Sequence, residues 1–495
     1  MVAILICVAY FAFFSILFGF IAKKRMKTGE DFFVAKGQLG WFAVMCTFVL
    51  APLGGGHTTS LIEQAGMGVG VLWWSILAGG VFVPVFLYWF GPWFRKLKVD
   101  TFPQALGKVF GPKIKIVNTS LAPAGWLGIA MSELLGTSTV IYCLSGGNLP
   151  YAPYCILLAG LIMVIYILLA GMLQAALMNI INAVVLIVGS FIAVIYVGNH
   201  LDGGYASIQA VYEAAGNTAA TNLFSFSPSI VFGVAIPVVV LHVLSVASEH
   251  AMYQPMLAAK SDKDIRRGAF VGGLFNTVAA FPWVILGVTA LAIPSVVEAI
   301  AENSRLSVAE LCLQMMPSWM IGVTMVALLC ALISTGSGMI LAVAHVLTDD
   351  IIKPLSGKQH TEKYNIWLGR IVVIVVTVAA TFGALQVTNI MAMFFWCFSL
   401  SMPIFVNYLI GMCWQINRKA AWINLIATTV VNFWWTFACP AWCPDYFTSP
   451  FYPVAVVTIG LGIILNLAMP GETGMLKQIK LQKQAEKAAK AASAG

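Results

Sequence analysis

Charged residues are scarce in this chain. Only 9% of its 495 residues are Asp, Glu, Lys or Arg, whereas 60% are hydrophobic. A soluble domain of this size needs many more charged side chains on its surface, so the composition excludes one. It is typical instead of a polytopic membrane protein, most of whose surface faces lipid.

Paired cysteines are also lacking. The ten cysteines occur singly and mostly within apolar runs, so they indicate neither a disulfide framework nor a zinc site. The one local pair, Cys439 and Cys443, lies in a loop that we predict on the outer side, where a disulfide bond is possible. No small-residue cleavage pattern follows the first apolar run, so residues 2–22 are expected to be retained as a membrane span.

Long apolar runs are abundant. Stretches of about 18 to 27 residues, long enough to cross a bilayer as a helix, occur about thirteen times. We number these predicted spans 0 to 12, in chain order: 2–22, 41–66, 69–92, 116–144, 152–170, 173–197, 228–254, 268–293, 318–346, 366–386, 390–413, 420–438 and 451–469. The sequence therefore predicts an all-α polytopic membrane protein.

Basic residues favour one side of the membrane. If the N-terminus is outside, 26 of the 27 Lys and Arg residues fall in cytoplasmic segments, and only Arg305 falls outside. This asymmetry predicts an integral protein of the cell membrane with a cytoplasmic C-terminus, and it accounts for the net charge of +8 without nucleic acid. The lipid bilayer is the expected partner, with the basic tail from Lys477 near anionic headgroups, and no obligate protein partner is evident.

Spans 1–5 and 6–10 form two sets of five. Because five is odd, the second set enters the membrane from the opposite face, as an inverted repeat requires. We expect an N-terminal helix with a cytoplasmic loop, a five-helix repeat, an outer loop, a second five-helix repeat, two C-terminal helices and a basic tail, over residues 1–40, 41–197, 198–227, 228–413, 414–470 and 471–495. Short interfacial helices are expected in the outer loops.

Span 1 contains the stretch least suited to an unbroken helix, Ala51-Pro52-Leu53-Gly54-Gly55-Gly56-His57-Thr58-Thr59. Proline and glycine cost about 3 and about 1 kcal/mol per helical position. A break here must face protein or a wet cavity, because lipid cannot satisfy free backbone groups. Freed carbonyls can hold a cation or a polar solute, so we predict half of such a site at the Gly54–Gly56 break.

Span 6, the first helix of the second set, carries a matching disruption. Gly233 and Pro237 precede a polar stretch that includes Glu249 and His250. A carboxylate at membrane depth indicates function by default, although Glu249 could instead lie at the cytoplasmic interface. His57, directly after the glycines of span 1, is predicted to line the cavity.

Span 8 contains two adjacent hydroxyls, those of Ser334 and Thr335. Such hydroxyls are good ligands for a hard cation, but in membrane helices they often bond to their own helix or to a neighbouring one. Spacing alone leaves both alternatives open. Most aromatic residues are interface anchors or packing residues, and Trp283 and Phe395 are our candidates for the lining of the solute site.

These motifs resemble the sodium:solute symporter family, which includes the bacterial proline, pantothenate and sialic acid symporters and the sodium–glucose symporters. Most specific in combination are Ala331-Leu332-Ile333-Ser334-Thr335 and the segment Tyr253–Ser261, which contains Gln-x-x-Leu-Ala-Ala-Lys-Ser. The other matching elements are the glycine-rich break with Gly66, Gly70 and Trp73, the segment Ala170–Asn182, Leu347–Asp350 and Ala420-Ala421-Trp422. The resemblance covers most of the chain.

The resemblance implies a LeuT-type 5+5 inverted-repeat fold with one extra N-terminal and two extra C-terminal helices. It also implies that sodium is the coupling ion. Carried over by position, the sodium ligands would be the carbonyls of Ala51, Gly54 and Ala331 and the hydroxyls of Ser334 and Thr335. Substrate contacts would fall on His57, Thr58, Glu249 and His250.

Two departures from the family pattern concern ion number. Asn179 stands where the family usually has Asp, and Gly338 stands where members with a second sodium ion have Ser. We therefore predict one sodium ion per cycle. In addition, Glu249 replaces a more usual neutral side chain, which disfavours sugars and favours a solute with a positive or hydrogen-bond-rich end, such as an amino-acid-like or quaternary-ammonium compound.

The predicted function is sodium-coupled uptake of a small polar organic solute. Two alternatives are a proton-coupled symporter that uses Glu249 and His250, and a transporter-like solute sensor. An enzyme is not expected, because the buried His and Glu residues have neither metal-ligand spacing nor a nucleophile with a base nearby.

Overall fold

A computed structural model describes residues 1–25, 33, 37–50, 54–168, 171–244, 250–356, 361–444 and 447–492. Two predicted site residues, Ala51 and Glu249, lie outside the described residues. The described part is mostly helical, and its α-helices of six or more residues are α1 (Val2–Arg25), α2 (Trp41–Leu50), α3 (Gly55–Glu63), α4 (Val83–Leu97), α5 (Phe102–Phe110), α6 (Pro112–Leu144), α7 (Ile156–Leu168), α8 (Gly171–His200), α9 (Gly204–Ala214), α10 (Ile236–Leu244), α11 (His250–Ala258), α12 (Asp262–Leu291), α13 (Pro294–Ala299), α14 (Ser307–Met315), α15 (Ser318–Val346), α16 (Glu362–Ala384), α17 (Ile390–Cys413), α18 (Arg418–Ala438), α19 (Phe451–Ala468) and α20 (Met475–Ala492).

Shorter elements join these helices. Strands β1 (Gln415–Ile416) and β2 (Glu472–Thr473) pair antiparallel and join the end of α17 to the segment before α20. The remaining short helices are of α, 3₁₀ or π type: Ala65–Met67, Val69–Leu72, Trp73–Ser75, Ile76–Phe82, Tyr151–Cys155, Thr218–Thr221, Pro228–Ile230, Val231–Ala235, Ser304–Leu306, Leu347–Ile352 and Lys353–Ser356.

Nine helical segments in the described part of the chain are long and apolar enough to cross a membrane. They match predicted spans 0, 3, 4, 5, 7, 8, 9, 10 and 12, and the full count of about thirteen spans stays a prediction. In spans 1, 2 and 6 the described residues form the shorter apolar helices Trp41–Leu50, Val69–Phe82 and Pro228–Leu244. Span 11 corresponds to α18, which carries the buried polar side chains of Asn424, Thr428 and Asn432.

Helix α15 forms the centre of the molecule. In its most apolar stretch 94% of the residues are buried, against 11% in that of α1. Helices α1, α6 and α8 pack along α15, and α2 contacts both α8 and α12. A helix that is apolar on every face must be surrounded by protein or lipid. The packing therefore places Ser334 and Thr335 in the interior and leaves α1 at the periphery.

Span 1 is divided where its sequence predicts. Helix α2 ends at Leu50 and α3 begins at Gly55, and Gly54 has a φ of −38° and a ψ of 165°, which is not a helical conformation. Gly55 and Gly56 belong to the first turn of α3, so the break ends earlier than the predicted Gly54–Gly56. In span 6, the residues between α10 and α11, 245–249, lie outside the described residues, and the disruption predicted there stays a prediction.

The predicted outer loops contain helices, as expected. Helix α9 lies in the first loop, and α13 and α14 lie in the second. The basic tail forms α20. Cys439 and Cys443, for which the sequence left a disulfide bond open, are both free thiols.

Candidate functional site

The hydroxyls of Ser334 and Thr335 are buried and bond across to other helices. Thr335 Oγ1 donates to the carbonyl oxygen of Leu50 over 3.2 Å, and Ser334 Oγ donates to Asn179 Oδ1 over 2.8 Å. The sequence left open whether these hydroxyls bond within their own helix. Both of these bonds instead connect α15 to its neighbours, one to the end of α2 and one to α8.

Asn179 connects span 1 to span 8. Its side-chain amide nitrogen donates to Thr47 Oγ1 of α2 over 3.4 Å, while its amide oxygen accepts the hydrogen bond from Ser334. All three side chains are buried. The residue that replaces the family's usual aspartate is therefore placed between the two halves of the candidate cation site, and it brings no charge.

Gly54 lies directly against Thr335. A β-carbon placed on Gly54 would be 2.5 Å from Thr335 Cγ2 and 2.7 Å from Thr335 Cβ, so only glycine allows α15 to approach this closely. The Gly54 carbonyl accepts a hydrogen bond from the amide of Thr58 over 2.9 Å. Because a carbonyl oxygen has two lone pairs, it can also face a cation.

Ala331 completes the described part of the predicted ligand set. It is fully buried on α15, one turn before Thr335. The structure therefore brings Gly54 and Thr335 together, with Ala331 and Ser334 on the same helix as Thr335. The place of Ala51 among them is outside the described residues.

A carboxylate that was not among the predicted site residues reaches the same point. Glu133 Oε1 of α6 would be 2.5 Å from the β-carbon placed on Gly54, and the Glu133 side chain is buried. The sequence around a single acidic residue in an apolar helix does not indicate which residues of other helices lie beside it. Its depth within span 3 was the only signal that could have identified it.

An aromatic cluster links two predicted solute-site residues. The His57 ring stacks on Trp74 with 4.9 Å between centroids, and Trp74 stacks on Phe395 with 5.7 Å between centroids. His57 Nε2 also lies 3.0 Å from Ser75 Oγ. Spans 1, 2 and 10 therefore meet here. Sequence reasoning missed the roles of Trp74 and Ser75, because neither differs locally from a packing residue.

The other predicted solute-site residues that the structure describes lie on three different helices. Thr58 is fully buried in the first turn of α3. Trp283 is fully buried in α12, and in the described structure its indole nitrogen has no hydrogen-bond partner and no ring contact joins it to His57 or Phe395. His250 is the first residue of α11, and its side chain, like the whole of Glu249, is outside the described residues.

The chemistry of the site is that of hard oxygen ligands. Among the described residues, no group of three or more His, Cys, Asp or Glu side chains could hold a metal ion. The Thr335 hydroxyl, which bonds to the Leu50 carbonyl, and the Glu133 carboxylate instead come together beside Gly54 at the break of span 1. Such oxygens suit a hard cation, and so few charges suit a monovalent one, which is the ion the resemblance implies.

The chain matches the sodium:solute symporter family over residues 32–427. The sodium/glucose cotransporter of Vibrio parahaemolyticus is 22% identical, over 82% of this chain and 79% of that protein. Sodium/myo-inositol cotransporter 2 of Homo sapiens is 23% identical, over 82% of this chain and 65% of that protein. The match to sodium/glucose cotransporter 1 of Ovis aries spans 57% of that longer protein.

Solved structures of transporters share the fold. A substrate-bound, outward-open Na⁺-coupled sialic acid symporter superposes with a TM-score of 0.78 at 17% identity, over 96% of this chain and 99% of that one. A nucleobase-cation-symport-1 family transporter superposes with a TM-score of 0.56 at 15% identity, over 89% and 95%. The fold is thus that of LeuT-like transporters. Since the family match covers most of the chain, this protein belongs to the sodium:solute symporter family.

Proposed function

We propose that this protein takes up a small polar organic solute in symport with sodium, with one sodium ion per cycle. The observation that carries the proposal is the convergence of Thr335, Gly54 and the Leu50 carbonyl at the break of span 1. Broken helices of transporters use such freed carbonyls to coordinate ions. The names of the relatives, which are sodium cotransporters of glucose and myo-inositol, support sodium as the coupling ion.

The proposed sodium ligands are the carbonyls of Ala51, Gly54 and Ala331 and the hydroxyls of Ser334 and Thr335. Each hydroxyl already directs its proton to another acceptor, so its oxygen lone pairs can face the ion. Neutral oxygens bind sodium weakly enough for it to leave in each cycle. The proposal of one ion rests on Asn179, which is neutral, and on Gly338, which has no hydroxyl.

The proposed solute site is lined by His57, Thr58, Trp283 and Phe395, with Glu249 and His250 on span 6. The described stack of His57, Trp74 and Phe395 supplies aromatic surface beside the polar His57 and Ser75. Aromatic rings attract ammonium groups as well as apolar ones. This supports an amino-acid-like or quaternary-ammonium solute, although the relatives named above include sugar cotransporters.

In the proposed cycle, sodium joins the broken span 1 to span 8 and shapes the outward-facing cavity. Solute binding beside His57 then permits closure, and inward opening releases both. The membrane voltage contributes about 2.3 kcal/mol per charge per 100 mV, so one ion is enough to drive accumulation. In this scheme the bond of Thr335 to Leu50 joins span 8 directly to span 1, and the bonds of Asn179 to Ser334 and to Thr47 join the same two spans through α8.

The proposed orientation has the N-terminus outside and the C-terminus in the cytoplasm. Residues from different predicted cytoplasmic segments lie together in the fold, which supports it. Arg95 Nε lies 3.2 Å from Asp262 Oδ1, and Lys115 Nζ lies 2.8 Å from Asp350 Oδ1. A single cytoplasmic face is the simplest membrane placement for these pairs.

Uptake by purified protein in liposomes tests the function. We expect accumulation of at least one solute from a library of amino acids, betaines and sugars when an inward sodium gradient is imposed. Uptake that is independent of sodium and depends on a pH gradient would favour the proton-coupled alternative. Solute binding without measurable flux would favour the sensor.

A further inference from the structure

We infer that Glu133 of α6 is part of the cation site and that its carboxylate balances the charge of the coupling ion. This inference rests on the proposed sodium symport, because it adds a residue to the same site. Its starting point is the position of the carboxylate beside Gly54 and Thr335.

Glu133 and Thr335 approach one point beside Gly54 from two helices. A β-carbon on Gly54 would be 2.5 Å from Glu133 Oε1 and 2.7 Å from Thr335 Cβ. Gly54 supplies a proposed carbonyl ligand, and Thr335 supplies a proposed hydroxyl ligand. A cation held by these two residues is therefore within the reach of the Glu133 carboxylate.

Glycines on α15 and α6 allow the helices around Glu133 to pack closely. A β-carbon on Gly336, which follows Thr335, would be 3.1 Å from Glu133 Cβ. A β-carbon on Gly136, one turn along α6, would be 2.6 Å from Thr59 Oγ1 of α3. Helix α6 therefore runs closely against both α15 and α3, and this tight packing directs the carboxylate toward the break of span 1.

The charges at the site also favour a cation beside Glu133. The side chain is only 1% exposed, and in a low-dielectric interior a carboxylate attracts a nearby cation more strongly than it does in water. Ser334, Thr335 and Asn179 are neutral, so Glu133 is the anionic group that the described site residues contribute. One carboxylate balances the charge of one monovalent ion. The negative charge is then on span 3, because Asn179 of span 5 stands where the family usually has an aspartate.

The test measures sodium binding directly in purified protein. Its apparent sodium affinity is obtained from the rise in the thermal unfolding midpoint as sodium chloride replaces potassium chloride at constant ionic strength. We expect Glu133→Gln to raise the apparent Kd for sodium at least about tenfold.

Glu310→Gln is the matched control. Glu310 is also a buried carboxylate, but it lies on α14 and accepts a hydrogen bond from Tyr142 Oη over 2.6 Å. We expect this control to keep the wild-type sodium affinity even if its unfolding midpoint falls. The difference between the two variants separates a ligand to the ion from a carboxylate that only joins helices.

Each outcome decides the inference. If Glu133→Gln binds sodium with the wild-type affinity, the inference is overturned and the proposed function is not affected. The same conclusion follows if the variant's unfolding midpoint without sodium is lower but its sodium affinity is unchanged. A wild-type protein that sodium does not stabilise at all overturns both. If Glu133→Gln does not fold, Glu133→Asp replaces it, since the shorter carboxylate should weaken sodium binding by a smaller factor. Unchanged affinity in that variant overturns the inference.

Discussion

The hydroxyl of Ser334 donates a hydrogen bond to the side-chain amide oxygen of Asn179 over 2.8 Å, and the amide nitrogen of Asn179 donates to Thr47 over 3.4 Å. Helices α15, α8 and α2 therefore meet at one neutral side chain. This arrangement orients the Ser334 hydroxyl with its proton on the Asn179 side. Its lone pairs remain available to an ion at the break of span 1.

Removal of either hydroxyl should weaken sodium binding. We expect Ser334→Ala and Thr335→Ala each to raise the sodium concentration for half-maximal uptake at least about tenfold, because each removes one of a few ligands. Sodium-dependent uptake into liposomes measures this. Thr324→Ala is the control, since Thr324 is buried on the same helix and bonds back to the Met320 carbonyl over 3.0 Å. An equal effect in the control would contradict the assignment.

A charge at position 179 should strengthen the site. We expect Asn179→Asp to lower the apparent sodium Kd by about tenfold, because an anion beside Ser334 attracts the ion in a low-dielectric interior. The thermal midpoint in a sodium titration measures it. Asn182→Asp makes the same change on the same helix, where the native amide oxygen accepts a hydrogen bond from Tyr10. If both variants alter sodium affinity equally, a direct role for position 179 is excluded.

Local sequence predicted the break of span 1 and the burial of the span 8 hydroxyls. Proline and clustered glycines disfavour a helix wherever they occur, and hydroxyls in the middle of an apolar span favour protein neighbours over lipid. The contact of Glu133 with the region of Gly54, and the stack of Trp74 on His57, join distant parts of the chain and leave no local pattern. The count of about thirteen spans stays a prediction, because a helix that is interrupted falls short of the length that identifies a span among the described residues.

The space around Gly54 should tolerate no side chain. Gly54→Ala would place a methyl group 2.5 Å from both Thr335 Cγ2 and Glu133 Oε1, so we expect loss of sodium-dependent stabilisation and a destabilisation of about 1–3 kcal/mol. Thr335→Ser removes the Cγ2 methyl and keeps the hydroxyl. The Gly54→Ala, Thr335→Ser double variant should therefore recover part of the sodium response. The difference between its destabilisation and the sum of the two single destabilisations measures the interaction energy of the two positions.

Gly460→Ala provides the matched control for this prediction. Gly460 lies in α19, and nothing lies within 4 Å of a β-carbon placed there. We expect this variant to keep its sodium response and to gain up to about 1 kcal/mol, because alanine has the higher helix propensity. Similar losses at Gly54 and Gly460 would show that the Gly54 effect is not steric.

His57 should affect the solute more than the ion. We expect His57→Ala to raise the solute concentration for half-maximal uptake at least about tenfold, because the ring is stacked on Trp74 and contacts Ser75. Sodium-dependent stabilisation without solute should change little. His200→Ala is the control, since His200 is exposed at the end of α8. A selective loss of sodium binding in His57→Ala would contradict a solute role.

An ion pair lies at the C-terminal end of α3. Arg305 Nε lies 3.5 Å from Glu63 Oε1, both side chains are about one-tenth exposed, and Arg305 also donates to the Val387 carbonyl over 3.2 Å. The pair joins the end of α3 to the second of the predicted outer loops and to the segment before α17. Removing one partner of a buried pair leaves the other charge uncompensated, which costs about 3–5 kcal/mol.

We therefore expect Glu63→Gln and Arg305→Gln each to lower the thermal unfolding midpoint. The decrease should be larger than that caused by breaking an exposed ion pair elsewhere in the protein. Arg418 and Glu472 lie 3.6 Å apart with side chains 64% and 63% exposed, and breaking that pair should cost at most about 1 kcal/mol. The Glu63→Gln, Arg305→Gln double variant should be more stable than the sum of the single losses predicts, because it leaves no unpaired charge. Strict additivity would show that the two charges do not interact, and the C-terminal end of α3 would then be held by packing alone.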